Sequence, residues 1–483
     1  MEFKLNLNFK TMKKILLYSF ISFLFIGCKK FDQANINQNA PENVNPQFLL
    51  SNVLAEGSNN QAYWGWHAGS LLAQHSSNLE FLPVDRYNLG SNEGLWTETY
   101  RLMKDLKDIK DSEQGNDAYS AVADILTAHQ ASLLTDLWTN VPYFDALKGQ
   151  SEANFTPAFD QQELIYTADG GILDLLEKAV ITLQSTTDKI DGDIMYQGNL
   201  NQWIAFANSL RVRYLLRISG KVDVSAEMQS IVDNGAIFQS GMQEAVVPYL
   251  SASPNQWVIF TEREGRFVDV RMSKTAEDIF APLNDPRLKH YYKPTVNSTP
   301  TNEEYNGIPN GLSRQNQNSY NLSDVSLLGS YLRDEPDAVK AAFMTYAELQ
   351  FCLAEAAHKG IISGMASTFY QNGIQASFNH LGLTMPSGYL SQVSVPLGSG
   401  TDLEQIMTQK WIASFMNGYE AWFDFRRTGF PVLTIPQDNL NNDVFPVRYA
   451  YPSTEQAVNG SNYLSAVGAI GGDNYNSKGW WEQ

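Results

Sequence analysis

Two stretches late in the chain, YAELQFCLAEAAHKG from Tyr346 and ASTFYQNGIQASFNHLG from Ala366, set the strongest limit on the fold. They are similar in length, carry apolar and small residues at helical spacing, and are separated by a glycine-bearing turn. That pattern reads as a pair of packed helices. Earlier, DAYSAVADILTAHQASLLTDLW spells a long helix whose Ala121, Ala128 and Ala131 permit close helix contact, with Asn140 and Pro142 marking its end. Further helical periods run over 46–54, 94–109, 161–183 and 200–218, and convincing strands are few.

Alternating helix pairs with small residues at their contacts predict an all-α superhelix of tetratricopeptide type, although no clean 34-residue period runs through the chain. Two regions interrupt it. Residues 247–340 and the chain after Thr428 are rich in turn formers, as in SASPNQW, PLNDPRL and GFPVLTIPQDN. Irregular segments this long are usually functional or disordered. Trp257, Tyr305, Tyr320 and Tyr449 supply aromatic anchors that argue for order.

The N-terminus answers a different question. Lys13 and Lys14 precede a run from Ile15 to Gly27 that is apolar apart from Ser19 and Ser22, giving 13 residues before Cys28. A spanning helix needs about 20 apolar residues, so this run is too short to cross a bilayer. A basic start, a short apolar core and a small residue before the cut describe an export signal over 1–27. Cysteine directly after Gly27 resembles the bacterial lipoprotein pattern, in which the thiol is acylated and becomes the new N-terminus. Each buried CH₂ of such chains contributes about 0.8 kcal/mol, so several chains give a stable anchor. Residues 28–45 are Asn-rich and broken by Pro41, a tether reaching ~60 Å when extended. With Cys28 acylated, Cys352 has no partner for a disulfide.

Charge excludes two classes of partner. Without residues 1–27 the chain keeps 30 basic and 51 acidic residues, a net charge of −21. Such a surface repels nucleic acid and anionic headgroups. The 10 Trp, 23 Tyr and 25 Phe fit core packing first, and neutral ligands such as carbohydrate second.

Several stretches together resemble the SusD/RagB family of nutrient-binding outer-membrane lipoproteins. They are TNVPYFDAL at 139–147, DGDIMYQGNLNQWIAFANSLRVRYLLRIS at 191–219, NDPRL at 284–288, YNGIPNGL at 305–312, TYAELQFCLAEAAHKG at 345–360, QKWIASFMNGYEAWFDFRRTGFP at 409–431 and PVRYAYPSTE at 446–455. The resemblance implies one SusD-like domain over 46–483, helix pairs with long irregular ligand-side loops, and a place on the outer membrane facing outside. It also implies binding of a glycan or other nutrient beside a SusC-like TonB-dependent transporter.

Most of these motifs read as architecture. Arg213 and Arg217 stand at i, i+4 beside Phe206, Leu210 and Tyr214, as in a core helix whose arginines bond carbonyls and carboxylates of its neighbours. Glu420, Asp424, Arg426 and Arg427 near Trp411 and Trp422 suggest a buried ion network around a late helix. There is no HExxH, GxSxG, phosphate-binding glycine loop or EF-hand loop. The six histidines are scattered; His67 and His75 are too far apart for an i, i+4 metal pair and read as helix-surface residues. No cofactor, metal or catalytic group is expected. An α-helical glycoside hydrolase and a tetratricopeptide-type scaffold without a small ligand are the competing readings, since two carboxylates suffice for a glycosidase.

A sugar has apolar C–H faces and a rim of hydroxyls, so its site needs flat aromatic rings flanked by amides or carboxylates. Two regions offer that mixture. LPVDRYNLGSNEGLW supplies Asp85, Tyr87, Asn88, Asn92 and Trp96, and the 251–330 region supplies Trp257, Tyr305, Asn306 and Tyr320. Trp96 heads an amphipathic helix and also suits the core. Tyr87 stands among turn formers and charges that do not bury it easily, which favours an exposed ring. Trp64 and Trp66 in YWGWHAG suit helix packing first.

Overall fold

Local signals start and stop each helix. The first, α1 (Pro46–Trp64), opens with Pro46 and with the Asn45 side chain accepting from Gln47 N. The long alanine-rich run becomes α3 (Asp117–Trp138), capped by Asn116, and Thr139 ends it by turning to φ 71°. In the computed structural model, residues 44–80, 83–262, 265–337 and 339–483 are described. The expected signal, Cys28 and the tether up to residue 43 lie outside them.

Between these come α2 (Glu93–Asp111) and, after them, α4 (Ile172–Ser185), α5 (Leu200–Ile218), α6 (Lys274–Leu283), α7 (Tyr346–His358), α8 (Ala366–His380), α9 (Asp402–Ala413), α10 (Glu420–Thr428) and α11 (Gly460–Ala469). Helices adjacent in sequence pack together: α1 on α2, α2 on α3, α3 on α4, α4 on α5, and α7 on both α8 and α9. α5 also packs on α7, which joins the early and late pairs. The fold is all-α and tetratricopeptide-like. Ala121, Ala128 and Ala131 of α3 are fully or almost fully buried, as close helix contact requires. The helix expected over 161–183 is two, Gln162–Thr167 and α4, because Gly170 takes φ 76° between them.

Strands are short. β1 (Ser76–Asn78) pairs antiparallel with β3 (Val270–Met272), and β2 (Ala245–Pro248) with β4 (Lys340–Met344). After α1 the backbone widens into a π-turn over Gly65–Gly69. Gly69 is required there, since a Cβ would stand 1.8 Å from the carbonyl oxygen of Gly418.

Charge inside the helical body is paired, as the arginine spacing predicts. Arg213 of α5 holds Glu348 of α7 through two bonds of 2.6 and 2.7 Å and donates to Phe343 O at 2.8 Å. Arg217, one turn on, bridges Asp136 of α3 and Glu420 of α10. On α10, Asp424 meets Lys410 at 2.7 Å and Arg427 at 2.9 Å, and Arg427 also holds Glu355. Burial pushes the Asp424 carboxyl up, but Lys410 and Arg427 outweigh it and hold the group well below the usual range. These pairs tie α3, α5, α7, α9 and α10 together.

Candidate functional site

The irregular segments are stitched to one another, and Asp85 is a central stitch. Its buried carboxylate accepts from Asn310 Nδ2 (2.6 Å), Gly311 N (2.7 Å), Ser77 Oγ (3.1 Å) and Asn78 N (3.2 Å). Burial raises its pKa to about 6, with the four donors pulling the other way. Beside it, Arg86 Nε donates to Asp438 O at 2.7 Å, and Asp438 accepts from Ser313 N (2.7 Å) and Asn316 Nδ2 (2.6 Å). The early loop, the mid-chain segment and the C-terminal segment are thereby one hydrogen-bonded layer. Ser77, Asn310 and Asp438 had no local signal in the sequence, because their partners are contributed from elsewhere in the chain.

The residues singled out from sequence separate into two sets. Asp85, Tyr87, Trp96 and Trp257 are interior. Tyr87 is 1 % exposed, contrary to the expectation of an exposed ring. Its hydroxyl accepts from Gln74 Nε2 at 3.2 Å, and its ring tilts against Phe445 at 5.7 Å. Phe445 comes from the far end of the chain, so Tyr87's own neighbours say nothing about its burial. Trp96 packs edge-on against Trp138, and Trp257 donates its indole N–H to Leu332 O at 3.0 Å. These four side chains hold the scaffold in place.

Asn88, Asn92, Tyr305, Asn306 and Tyr320 keep contact with solvent. Asn88 Oδ1 accepts from Tyr475 OH at 3.1 Å, and Asn92 Nδ2 donates to Tyr419 OH at 3.3 Å. Tyr305 is half-buried with its hydroxyl 3.4 Å from Glu303, a distance that leaves it available to another acceptor. Asn306 is pinned by Ser326 Oγ to its N–H (3.2 Å) and by its own Nδ2 to Asp324 O (3.1 Å). Tyr320 is 38 % exposed. Trp96, together with Tyr100, Pro142, Leu147 and Glu455, also lines an open hollow of about 330 Å³.

Among the described residues, no group of three or more His, Cys, Asp or Glu is placed to hold a metal ion. His75 is buried rather than at a helix surface, stacked 4.1 Å from Trp411 with Nε2 2.8 Å from the Trp411 carbonyl, and His67 is largely covered, 3.8 Å from Glu262. The Cys352 thiol is buried, which pushes its pKa up to about 11 and leaves it unreactive. No helix among the described residues is long and apolar enough to cross a membrane.

Over residues 38–452 the chain matches the SusD-like family, described as starch-binding and associating with the outer membrane. No curated protein matches it. Among solved structures, a chitin-binding protein is 27 % identical with a TM-score of 0.80, the match covering 91 % of this chain and 100 % of the other. A chitin-binding SusD homolog from Flavobacterium johnsoniae is 25 % identical with a TM-score of 0.76, covering 90 % of this chain and 98 % of its own. A SusD homolog from Bacteroides fragilis shares the fold at 24 % identity, with a TM-score of 0.80 over 91 % of this chain and 100 % of the other. With the family matched across most of its length and the same helical architecture in place, this chain belongs to the SusD-like family.

Proposed function

We propose that the protein binds a glycan at the outside of the outer membrane, anchored through an acylated Cys28, and delivers it to a SusC-like TonB-dependent transporter. Family membership and the likeness to chitin-binding structures support the glycan. The observation within this chain that carries the reading is the interlocked loop layer. It holds Tyr305, Asn306 and Tyr320 on one irregular segment while Asp85 and Tyr87 fix the layer from beneath. Aromatic rings fixed in advance bind a sugar face with little loss of conformational freedom, and neighbouring amides orient its hydroxyls.

Binding of starch and chitin oligosaccharides by calorimetry tests it. One of them is expected to bind and to remain uncleaved on prolonged incubation. Tyr305→Ala and Tyr320→Ala should each weaken binding by ~1–3 kcal/mol without changing the melting temperature. A double variant that binds like wild type places the site on other loops. Release of shortened sugars would favour the hydrolase instead.

The anchor has its own test. Cys28→Ser should move the protein from the membrane fraction to the soluble one when the transporter is absent. Continued membrane fractionation under that condition would remove the lipid from the proposal. Co-purification of the wild type with a large β-barrel protein in mild detergent tests the partner.

A further inference from the structure

A cavity of about 140 Å³ lies among α1, β4, α8 and α9, and none of its lining residues belongs to the Tyr305–Tyr320 segment. Its apolar wall includes Trp257, Leu332 and Phe415, and its polar groups include His290, Tyr331, Lys340 and His380. Three of these four polar groups are unspent. The His290 ring stacks on Tyr331 with centroids 4.2 Å apart, and neither ring's polar atoms have a hydrogen-bond partner among the described residues. The Lys340 amine has none either. His380 spends only Nδ1, on Glu244 at 2.8 Å, and the other oxygen of Glu244 takes Tyr346 N at 2.9 Å.

Among the described residues no carboxylate lines this cavity, in a chain with 52 acidic and 34 basic residues. Lys340 and His380 also border an outer cleft of about 440 Å³ that runs along Asn372, Gln375 and Asn379 of α8, and the carboxylate that lines it, Glu244, is the one already held by His380 and Tyr346 N. They therefore stand where a ligand would pass from solvent to the interior. A lysine ammonium, a phenol hydroxyl and an imidazole N–H can all donate to one carboxylate, and bonds to a charged acceptor are the strong kind. An apolar cavity of about 150 Å³ accepts a body the size of benzene.

We propose that this cavity is a second ligand site, for a compact organic carboxylate. Its apolar body sits against Trp257, Leu332 and Phe415, and its carboxylate meets Lys340, Tyr331 and His290. The site is independent of glycan binding on the loop layer, and either stands if the other falls.

Benzoate is a suitable probe, with benzyl alcohol as its neutral counterpart. Calorimetry on the whole protein should show one saturable benzoate site and benzyl alcohol at least tenfold weaker. Lys340→Met alters an exposed side chain and Tyr331→Phe removes one hydroxyl, so both should fold. Each should weaken benzoate at least fivefold, and starch or chitin oligosaccharides should not displace it. Absence of saturable binding at millimolar benzoate would overturn the proposal. So would equal affinity for the alcohol, wild-type affinity in both variants, or displacement by an oligosaccharide.

Discussion

Arg217→Met is expected to destabilise the protein by ~3–5 kcal/mol, because it removes the cation shared by two buried carboxylates. Arg217 is 3 % exposed and bridges two carboxylates from different helices, Asp136 on α3 and Glu420 on α10. Asp136 also accepts from Tyr166 OH at 2.9 Å and Trp481 Nε1 at 2.8 Å, and the Arg426 charge acts on it too, but only Arg217 both bonds and neutralises its carboxylate. Burial already raises the Asp136 carboxyl. Glu420, pushed up by burial, is brought below its ordinary range by Arg217 and Arg213. Without Arg217 both acids must be buried charged or take protons. Arg217→Lys should recover little, since one ammonium does not reproduce a fork that spans two carboxylates. Adding Asp136→Asn and Glu420→Gln to Arg217→Met should restore part of the loss. Urea unfolding midpoints measure all three. A shift in Arg217→Met worth under ~1 kcal/mol would show that helix packing alone holds α3, α5 and α10 together.

Why such a pair was visible in the sequence, while its partners were not, follows from where each signal resides. Three arginines, two of them at i, i+4, within the largely apolar FANSLRVRYLLRIS must find carboxylates, since an unpaired buried charge is too costly. That argument needs no structure. Which acids answer them is a matter of tertiary contact: Glu348 lies 135 positions from Arg213, and nothing local marks it. The helices were legible for the same local reason, being written in a 3.6-residue period and in caps. The break at Gly170 was lost because the apolar period continues on both sides of it. Tyr87 shows the limit most clearly, since its burial is supplied by Phe445 and Gln74. Of the expected ligand residues, Tyr305, Asn306 and Tyr320 sit on a long turn-rich segment, and such segments stay at the surface because their backbone polar groups need water or one another. Nothing in the sequence marks the cavity around His290, Tyr331, Lys340 and His380, because separate segments each contribute a side chain or two.

Acidification is expected to take stability from the wild type that His129→Gln and His75→Gln variants keep. Both histidines are buried in α3 and before β1, where their neutral forms are favoured. Burial lowers the His129 pKa to about 3, with Arg213 adding to the effect, Glu420 opposing it and Arg217 adding again. Burial lowers His75 to about 4, against the raising effect of its bond to the Trp411 carbonyl. Unfolded, each ring titrates near 6.5. Between pH 6.5 and 4 the unfolded chain therefore binds more protons than the folded one, and stability falls as pH falls. Each ring contributes at most about 1.4 kcal/mol per pH unit in that window, or ~3 kcal/mol over two units. Carboxyls raised by burial work in the opposite sense. Asp85, at about 6, is protonated in the folded state first and returns stability as pH drops below 6. The total pH profile is thus a sum of opposing slopes, and the histidine share must be read as a difference. Each variant is expected to be less stable than wild type at pH 7.5 and to close that gap as pH falls to 4.5. Thermal or urea unfolding across this range measures the gap. A gap that stays constant with pH would mean that the ring is protonated as readily inside the fold as in the unfolded chain, and that the covering Trp411, or Arg213 for His129, does not exclude the charged form.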